Sequence, residues 1–232
     1  MARLSTSSDG RAIKELFWLG SCLWRRVKRR AFSIQRCLIA PALPQNPDGR
    51  VYVHLGCGDI VSPEFINVDL YRAPHVHYVR DVSDLSVFPD NHADLVYACH
   101  LLEHIDRENL TRVLREWNRV LKPGGTLRLS VPDFDKLIAT YQACGKDVES
   151  ICAPLMGCWA GYKPHCMIFN YQYLAHLMEV SGFSRIHPWD PSTSDHHDFE
   201  DWASRCIEVG ARKFHISLNV EGVKQEMDLS NK

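Results

Sequence analysis

The most constraining feature of the sequence is the run VYVHLGCGDIVSPEFINVDL, residues 51–70. It leaves a short apolar stretch, turns at Gly56 and Gly58, and reaches Asp69 at the end of a second apolar stretch. Glycine lets a backbone turn with positive φ and lets a ligand approach without a Cβ clash. Because ligands of a parallel sheet bind beyond the carboxyl ends of its strands, we interpret the run as a ligand-binding glycine loop with an acid beside it. A tight turn that merely ends a strand is the simpler alternative.

Strand and helix patterns alternate after this run. The strand-like segments are VYVHL, FINVDL, HVHYVRD, the start of ADLVYACHLLEH, TLRLSVP, SRIHPW and HISLNVEG, and the helical ones are RENLTRVLREWNRVL and YQYLAHLMEVSGF. Such alternation indicates βαβ units with right-handed crossovers. We therefore predict an α/β fold of the Rossmann-like, doubly wound kind, with a mainly parallel seven-stranded sheet and helices on both faces.

The charge is divided unevenly along the chain. Residues 1–36 carry nine Lys or Arg against two acidic residues, a net +7 that leaves −8 for the rest of a chain whose total is −1. Residues 12–39 have helical spacing, and the following APALPQNPDG is typical of a linker. We predict a basic helical arm with a Pro-rich linker over residues 1–49 and a second domain over residues 50–232.

The arm has two interpretations. Phe17, Trp18 and Trp24 beside RRVKRR are typical of a helix on an anionic membrane surface, but the same arginines could form a solvated face.

The nine cysteines form no CxxC pair, which indicates reduced thiols, and no stretch approaches the roughly 20 apolar residues of a membrane span. We expect a cytoplasmic protein, with peripheral contact at the inner face of the membrane as an open alternative.

The motifs HLGCGD, INVDL, RDVSDLSVFPDNHADLVYACHLLEHI and RVLKPGGTLRLSVPD, in this order, resemble the class I S-adenosylmethionine-dependent methyltransferases. The chain is most similar to small predicted methyltransferases of the type 11 kind, often met among cell-surface polysaccharide genes. The resemblance spans about Val51 to Phe183. It implies a methyltransferase domain over residues 50–232, S-adenosylmethionine as cofactor, a role in polysaccharide biosynthesis, and a small-molecule or cell-surface saccharide acceptor methylated at oxygen.

The resemblance also implies a cofactor site at the ends of the first four strands. The methionine part would lie on the glycine loop, the ribose on Asp69, and the adenine beside Asp81. The implied cofactor-binding residues are Gly56, Cys57, Gly58, Asp69, Leu70, Asp81, Val82 and His100. Two positions depart from the family pattern, since His54 stands where many members have an acid and Ile60 where many have a third glycine.

Two histidines are predicted to be catalytic. Methyl transfer from a sulfonium is an in-line displacement, and a base assists when the acceptor is a hydroxyl. His100, at the end of the fourth strand, and His165, in the loop GYKPHCMIFNY, suit that role near neutral pH. A surface histidine at a helix start is the alternative for His165. The acidic, histidine-rich segment SDHHDFEDW, residues 194–202, is interpreted as a solvated loop, with a loop that reaches the site as the alternative.

His100, Glu103 and His104 have the spacing i, i+3, i+4, which places residues on one face of a helix and is compatible with metal binding. The pattern resembles the Glu-x-x-Glu-His motif of small-RNA 2′-O-methyltransferases and ubiquinone-pathway enzymes, with His100 in place of the first Glu. Because the match is partial, we predict no bound metal.

Two other functions compete with a small-molecule methyltransferase. A non-catalytic S-adenosylmethionine-binding or scaffold protein at a membrane surface is the main alternative. A nucleic-acid partner is not expected, because the Asn/Asp-Pro-Pro-aromatic motif of amine methylation is missing and the body of the chain is acidic.

Overall fold

The computed structural model describes Arg36, residues 40–157 and residues 163–226. The predicted arm helix over residues 12–39 therefore lies outside the described residues, apart from Arg36. Among the residues described, no helix is both long enough and apolar enough to span a bilayer.

Nine strands and four α-helices form in this part of the chain. The strands are β1 (Tyr52–Leu55), β2 (Phe65–Asp69), β3 (Tyr78–Val79), β4 (Ala93–Cys99), β5 (Leu121–Pro132), β6 (Phe183–Pro188), β7 (Cys206–Val209), β8 (Arg212–His215) and β9 (Ser217–Lys224). The helices are α1 (Leu110–Val120), α2 (Phe134–Ala143), α3 (Glu149–Met156) and α4 (Tyr171–Val180). Two 3₁₀ turns, Leu102–His104 and Arg107–Asn109, connect β4 to α1.

Seven of the strands form one sheet in the order β3-β2-β1-β4-β5-β9-β6. The pairs among β1 to β5 are parallel, and β9 runs antiparallel to both of its neighbours. The predicted doubly wound, mainly parallel, seven-stranded fold is confirmed. The order reverses between β1 and β4, and such a switch point opens a ligand crevice at the carboxyl ends of the strands.

One face of the sheet is covered by helices. Val113, Leu114 and Trp117 of α1 are buried in the main core, where the Trp117 indole N–H donates to the carbonyl of Val82 at 2.9 Å. Asp133 caps helix α2, because its carboxylate accepts hydrogen bonds from the backbone amides of Asp135 and Lys136 in the first turn.

The opposite face of β1, β2 and β4 is covered by a loop. The first three connections between strands, residues 56–64, 70–77 and 80–92, contain no helix. Tyr52, Phe65, Leu95 and Tyr97 on this face pack instead against Trp189 and Ala203. The segment at residues 194–202 lies in this layer, so its interpretation as a solvated loop is wrong. Because this loop lies on the sheet face, the His197 side chain is buried and only 2% exposed.

Helix α3 and the strands β7 and β8 were not anticipated from the sequence. Strands β7 and β8 form a separate antiparallel hairpin, which turns at Gly210 with φ of +63°. Ile207 of this hairpin packs with Leu137 of α2 and Ile151 of α3. The hairpin and these helices form a layer beside the carboxyl edge of the sheet.

The linker contacts the domain. The carbonyl of Ala42 lies 3.0 Å from Nε2 of His77, and the Arg36 guanidinium donates to the carbonyls of Val76 and His77 at 2.7 and 2.8 Å. The boundary between residues 49 and 50 stays a prediction.

We predict that His54 makes the fold sensitive to acid. Its ring is fully buried between Tyr97 and Phe199, and burial lowers the pKa of His54 to about 4. The unfolded chain therefore binds a proton below pH 6.5 that the folded chain does not bind until about pH 4. The contribution of His54 to the free energy of unfolding should be fully present above pH 6.5. It should fall as the pH drops, by roughly 2 kcal/mol at pH 5 for this group alone.

Urea denaturation between pH 7.5 and pH 5 tests this expectation. His54→Phe should lose less free energy of unfolding over that interval than the wild type. His176→Phe, at an exposed position of α4, is the matched control and should behave like the wild type. An identical pH dependence in His54→Phe and the wild type would contradict the prediction.

Candidate active site

A cavity of about 320 Å³ opens at the carboxyl edge of the sheet, next to the switch point between β1 and β4. The cavity is lined by His54, by residues 56–60 of the glycine loop and by residues from three later parts of the chain. These are Cys99, His100, Glu103 and His104; Pro154, Gly157 and His165; and Asp201, Trp202, Arg205 and Ile216. The predicted residues Gly56, Cys57, Gly58, His100 and His165 all lie at this one cavity.

The glycine loop has the conformation that the sequence predicts. Gly56 and Gly58 have φ of +62° and +56°. A Cβ on Gly56 would lie 2.8 Å from Cδ1 of Leu101, whereas a Cβ on Gly58 would meet nothing within 4 Å. The positive φ favours glycine at both positions, a side chain at position 56 would also displace the Leu101 side chain, and Gly58 leaves open space at the cavity.

Asp69 is held in a fixed orientation beside the loop. Its side chain is buried at the end of β2, where Oδ2 accepts from the amide of Gly58 and Oδ1 from the amide of Tyr71, both at 2.8 Å. Each carboxylate oxygen can accept more than one hydrogen bond. The acid can thus still accept from the two hydroxyls of a ribose.

The other predicted cofactor residues lie away from the cavity. Leu70 is 61% exposed after β2, and Asp81 is exposed after β3, where it accepts from the amide of Ser83 at 2.8 Å. The side chain of Val82 is buried in the main core. Leu70 and Asp81 flank Asp69 along the edge of the sheet, and their roles, with that of Val82, stay predictions.

His100 has a strained backbone and a defined ring orientation. Its φ is +48°, a conformation that is uncommon outside glycine and often found at functional sites. Nε2 lies 2.8 Å from Oγ of Ser217, whose hydroxyl donates to the carbonyl of Trp202 at 2.5 Å. We assign the ring hydrogen to Nε2 on this network, so Nδ1 carries a lone pair. Burial lowers the pKa of His100 to about 3.

Glu103 is the most unusual residue of the cavity. Its side chain is fully buried, and neither carboxyl oxygen has a hydrogen-bond partner among the described residues. Burial raises the pKa of Glu103 to about 8. Oε1 lies 3.5 Å from Nδ1 of His100 and 3.8 Å from Nε2 of His165.

The predicted helix face that His100, Glu103 and His104 would share is wrong. Leu102–His104 is a single 3₁₀ turn, and His100 precedes it, because the chain bends at the positive φ of His100. The side chains of Glu103 and His104 nevertheless converge with that of His165, since one ligand atom of each lies within 4.8 Å of the others.

His165 reaches the cavity through backbone contacts with Glu103. The carbonyl of Glu103 accepts from the amides of Cys166 and Met167, at 2.7 and 3.2 Å. The ring lies against Gly157, where a Cβ would be 2.3 Å from Cδ2 of His165. Burial lowers the pKa of His165 to about 4. Helix α4 is capped by Asn170 instead, so the alternative of a surface histidine at the helix start is wrong.

Three cavity residues were missed in the sequence. Asp201, Trp202 and Arg205 follow β6 and belong to the segment that was interpreted as solvated, or lie just after it. Burial raises the pKa of Asp201, but hydrogen bonds from His197 and the hydroxyl of Tyr97 outweigh it, and the pKa is lowered. The cavity therefore holds a carboxylate from Asp201 and a guanidinium from Arg205. The cluster of acids and aromatics was visible in the sequence, but no periodicity showed where it packs.

Part of the chain matches a known protein family. Residues 55–129 match the family described as "Methyltransferase domain", of type 11. The chain carries a methyltransferase domain. The predictions of a class I methyltransferase of the type 11 kind, of an S-adenosylmethionine-dependent enzyme, and of that cofactor are confirmed. No protein with a curated description matches the chain.

Solved structures similar to the chain include three methyltransferases. An S-adenosylmethionine-dependent methyltransferase from Thermotoga maritima is 17% identical, with a TM-score of 0.49, over 92% of this chain and 96% of that one. The 1,6-didemethyltoxoflavin-N1-methyltransferase of Burkholderia thailandensis, solved with bound 1,6-didemethyltoxoflavin and S-adenosylhomocysteine, is 16% identical, with a TM-score of 0.49, over 97% of this chain and 93% of that one. An enzyme from Archaeoglobus fulgidus is 16% identical, with a TM-score of 0.47, over 84% and 94%.

The residues of the site fit S-adenosylmethionine. The open space at Gly58 admits a ligand, and the oriented carboxylate of Asp69 suits a ribose. Asp201 and Arg205 offer a negative and a positive charge, which complement the ammonium and carboxylate of the methionine part.

We expect Asp69→Ala to weaken S-adenosylmethionine binding by roughly 2–4 kcal/mol, since hydrogen bonds to a charged acceptor are lost. Calorimetry on the purified protein measures this difference. Asp69→Asn keeps one acceptor oxygen and should bind with intermediate affinity. Asp90→Asn, in the exposed turn before β4 at the opposite edge of the sheet, is the control. Equal affinity of Asp69→Ala and the wild type would remove Asp69 from the cofactor site.

Proposed function

We propose that the protein transfers a methyl group from S-adenosylmethionine to a hydroxyl oxygen of a small molecule or a cell-surface saccharide. The single observation that carries this proposal is the cavity itself. The glycine loop lines one part of it, and His100, Glu103 and His165 line another. An acceptor in the cavity would lie between the cofactor and side chains that accept a proton.

The chain's own residues would position the acceptor and take up its proton. The bound cofactor supplies an electrophilic methyl group. Burial lowers the pKa of both His100 and His165, so both rings are neutral at physiological pH and each keeps a lone pair for a hydroxyl proton, while the same shift makes each a weaker base than an exposed histidine. The Trp202 ring lies 5.7 Å from that of His100 and limits the access of water to this part of the cavity.

The size of the cavity supports a small acceptor. At about 320 Å³ it lies at the low end of the range for small-molecule sites, roughly 300–1,000 Å³. It suits the methionine part of the cofactor and one reactive group of the acceptor, such as a terminal sugar. The resemblance to methyltransferases met among polysaccharide genes favours a saccharide. The alternative of a non-catalytic binding protein is not retained, because the family match supports an enzyme.

We also propose that the protein acts in the cytoplasm and that its basic arm contacts an anionic membrane. The net +7 of residues 1–36 and the three aromatic residues beside RRVKRR support this contact. Such a contact would place the enzyme where lipid-linked saccharides are assembled.

Methyl transfer is tested by incubating the protein with the cofactor and a panel of saccharides, and by following the methylated product with mass spectrometry. His100→Ala and His165→Ala should each lower kcat by roughly 10²–10⁴-fold, because each removes a side chain that faces the acceptor. His165→Ala should keep wild-type affinity for S-adenosylmethionine, and His176→Ala should keep wild-type activity. Wild-type rates in both cavity variants would refute a catalytic role for these histidines.

Membrane contact is tested by sedimentation of the full-length protein with liposomes. We expect binding to vesicles that contain phosphatidylglycerol, weaker binding at high salt, and none to neutral vesicles. Replacement of Arg25, Arg26, Lys28, Arg29 and Arg30 by Gln should abolish the binding. A control with five Gln substitutions at exposed Lys and Arg of the domain should still bind. Equal sedimentation of the arm variant and the wild type would exclude the arm as the contact.

A further inference from the structure

We propose that Glu103, His104 and His165 bind one divalent transition-metal ion in the cavity, and that the ion takes a hydroxyl oxygen of the acceptor as a further ligand. The second part rests on the proposed function, whereas binding of the ion does not. The sequence predicts no metal, because the local motif of His100, Glu103 and His104 matches a metal-binding pattern only in part. His165 lies 62 residues after Glu103 and is brought to it only by the fold.

The two imidazoles are oriented as metal ligands. Nδ1 of His165 lies 3.2 Å from the carbonyl of Leu155, and Nδ1 of His104 lies 3.3 Å from the carbonyl of Pro164. A carbonyl can only accept, so each Nδ1 carries the ring hydrogen and each Nε2 keeps its lone pair. In metal sites, the ligating histidine likewise donates its other N–H to a carbonyl or a carboxylate.

The carboxylate they face lacks any donor. Both oxygens of Glu103 are buried and have no hydrogen-bond partner in the described part of the chain. His100 also presents a lone pair to Glu103, since its Nε2–H is used by Ser217. When Glu103 is ionised, three imidazole lone pairs and two carboxylate oxygens therefore meet without a hydrogen between them, an arrangement that is costly when buried.

A metal cation can bind more of these unpaired acceptor atoms than a single proton can. One proton on Glu103 would satisfy one oxygen and one imidazole and leave the other acceptors unpaired. An ion with ligand bonds of about 2.0–2.2 Å holds its ligand atoms about 3–4 Å apart. The ligand atoms of Glu103, His104 and His165 lie within 4.8 Å of one another, so small side-chain rotations bring them to one ion.

The donor set indicates which ions fit. Two imidazoles and one carboxylate favour Zn²⁺, Mn²⁺, Fe²⁺ or Co²⁺ over Mg²⁺ and Ca²⁺, which prefer oxygen ligands. Three protein ligands leave coordination positions open, as in catalytic sites. An acceptor with two neighbouring hydroxyls, such as a sugar diol, could occupy them. In this arrangement His165 is a ligand, and His100 is the side chain left to accept the proton.

Binding is tested with Co²⁺, whose visible absorption reports its ligands. The full-length protein is treated with a chelator, exchanged into clean buffer and titrated with Co²⁺. We expect one ion per chain, a spectrum of nitrogen and oxygen ligands, and displacement by Zn²⁺. Glu103→Gln, which keeps the shape of the side chain, and His165→Ala should each weaken binding at least about tenfold. His176→Ala, on the exposed face of α4, is the control and should bind as the wild type does.

Three results would overturn the site: no Co²⁺ spectrum in the wild type, unchanged binding in both ligand variants, or thiolate absorption that points to cysteines. Circular dichroism and S-adenosylmethionine affinity show whether each variant is folded. The acceptor role is tested separately by methyl transfer. Chelator should abolish transfer and Mn²⁺ or Zn²⁺ should restore it, whereas transfer that survives complete removal of the metal would refute that role and leave the binding result intact.

Discussion

The connection between β1 and β2 shapes the rest of the molecule. It has only nine residues, 56–64, whereas a crossover that contains a helix needs at least ten to twelve. The glycine loop therefore leads directly into β2, and no crossover helix covers that face of β1, β2 and β4. Residues 189–203 cover it instead, with Trp189 packed on the sheet and Asp201 bonded to Tyr97 and His197. The same segment delivers Asp201 and Trp202 to the cavity, so one short loop determines both the cover of the sheet and the composition of the site.

The sequence was sufficient for the features that depend on neighbouring residues. Strand alternation predicts the sheet because apolar periodicity reflects burial directly, and the glycine spacing predicts the loop because positive φ favours glycine at those positions. Asp69 follows from its place at the end of β2. These features lie within twenty consecutive residues or repeat along the chain.

The remaining features depend on contacts that span long stretches of the chain. His165 joins Glu103 through backbone hydrogen bonds made by Cys166 and Met167, which no local pattern encodes. The burial of the His197 and Asp201 side chains was missed because a polar composition predicts solvent exposure, yet these two groups bond to each other and to Tyr97 beneath the surface. The spacing i, i+3 after β4 predicts an α-helix, but a 3₁₀ turn has the same spacing, and a 3₁₀ turn forms there.

The ring of His165 lies where a Cβ of residue 157 would be, and this contact joins two positions that no motif connects. The backbone favours glycine at position 157 as well, since φ there is +66°. A smaller residue at position 165 would therefore remove only the steric part of this requirement, whereas any side chain at 157 would displace the ring. Among related chains a histidine at position 165 should occur together with a glycine at position 157, whereas the glycine does not require the histidine.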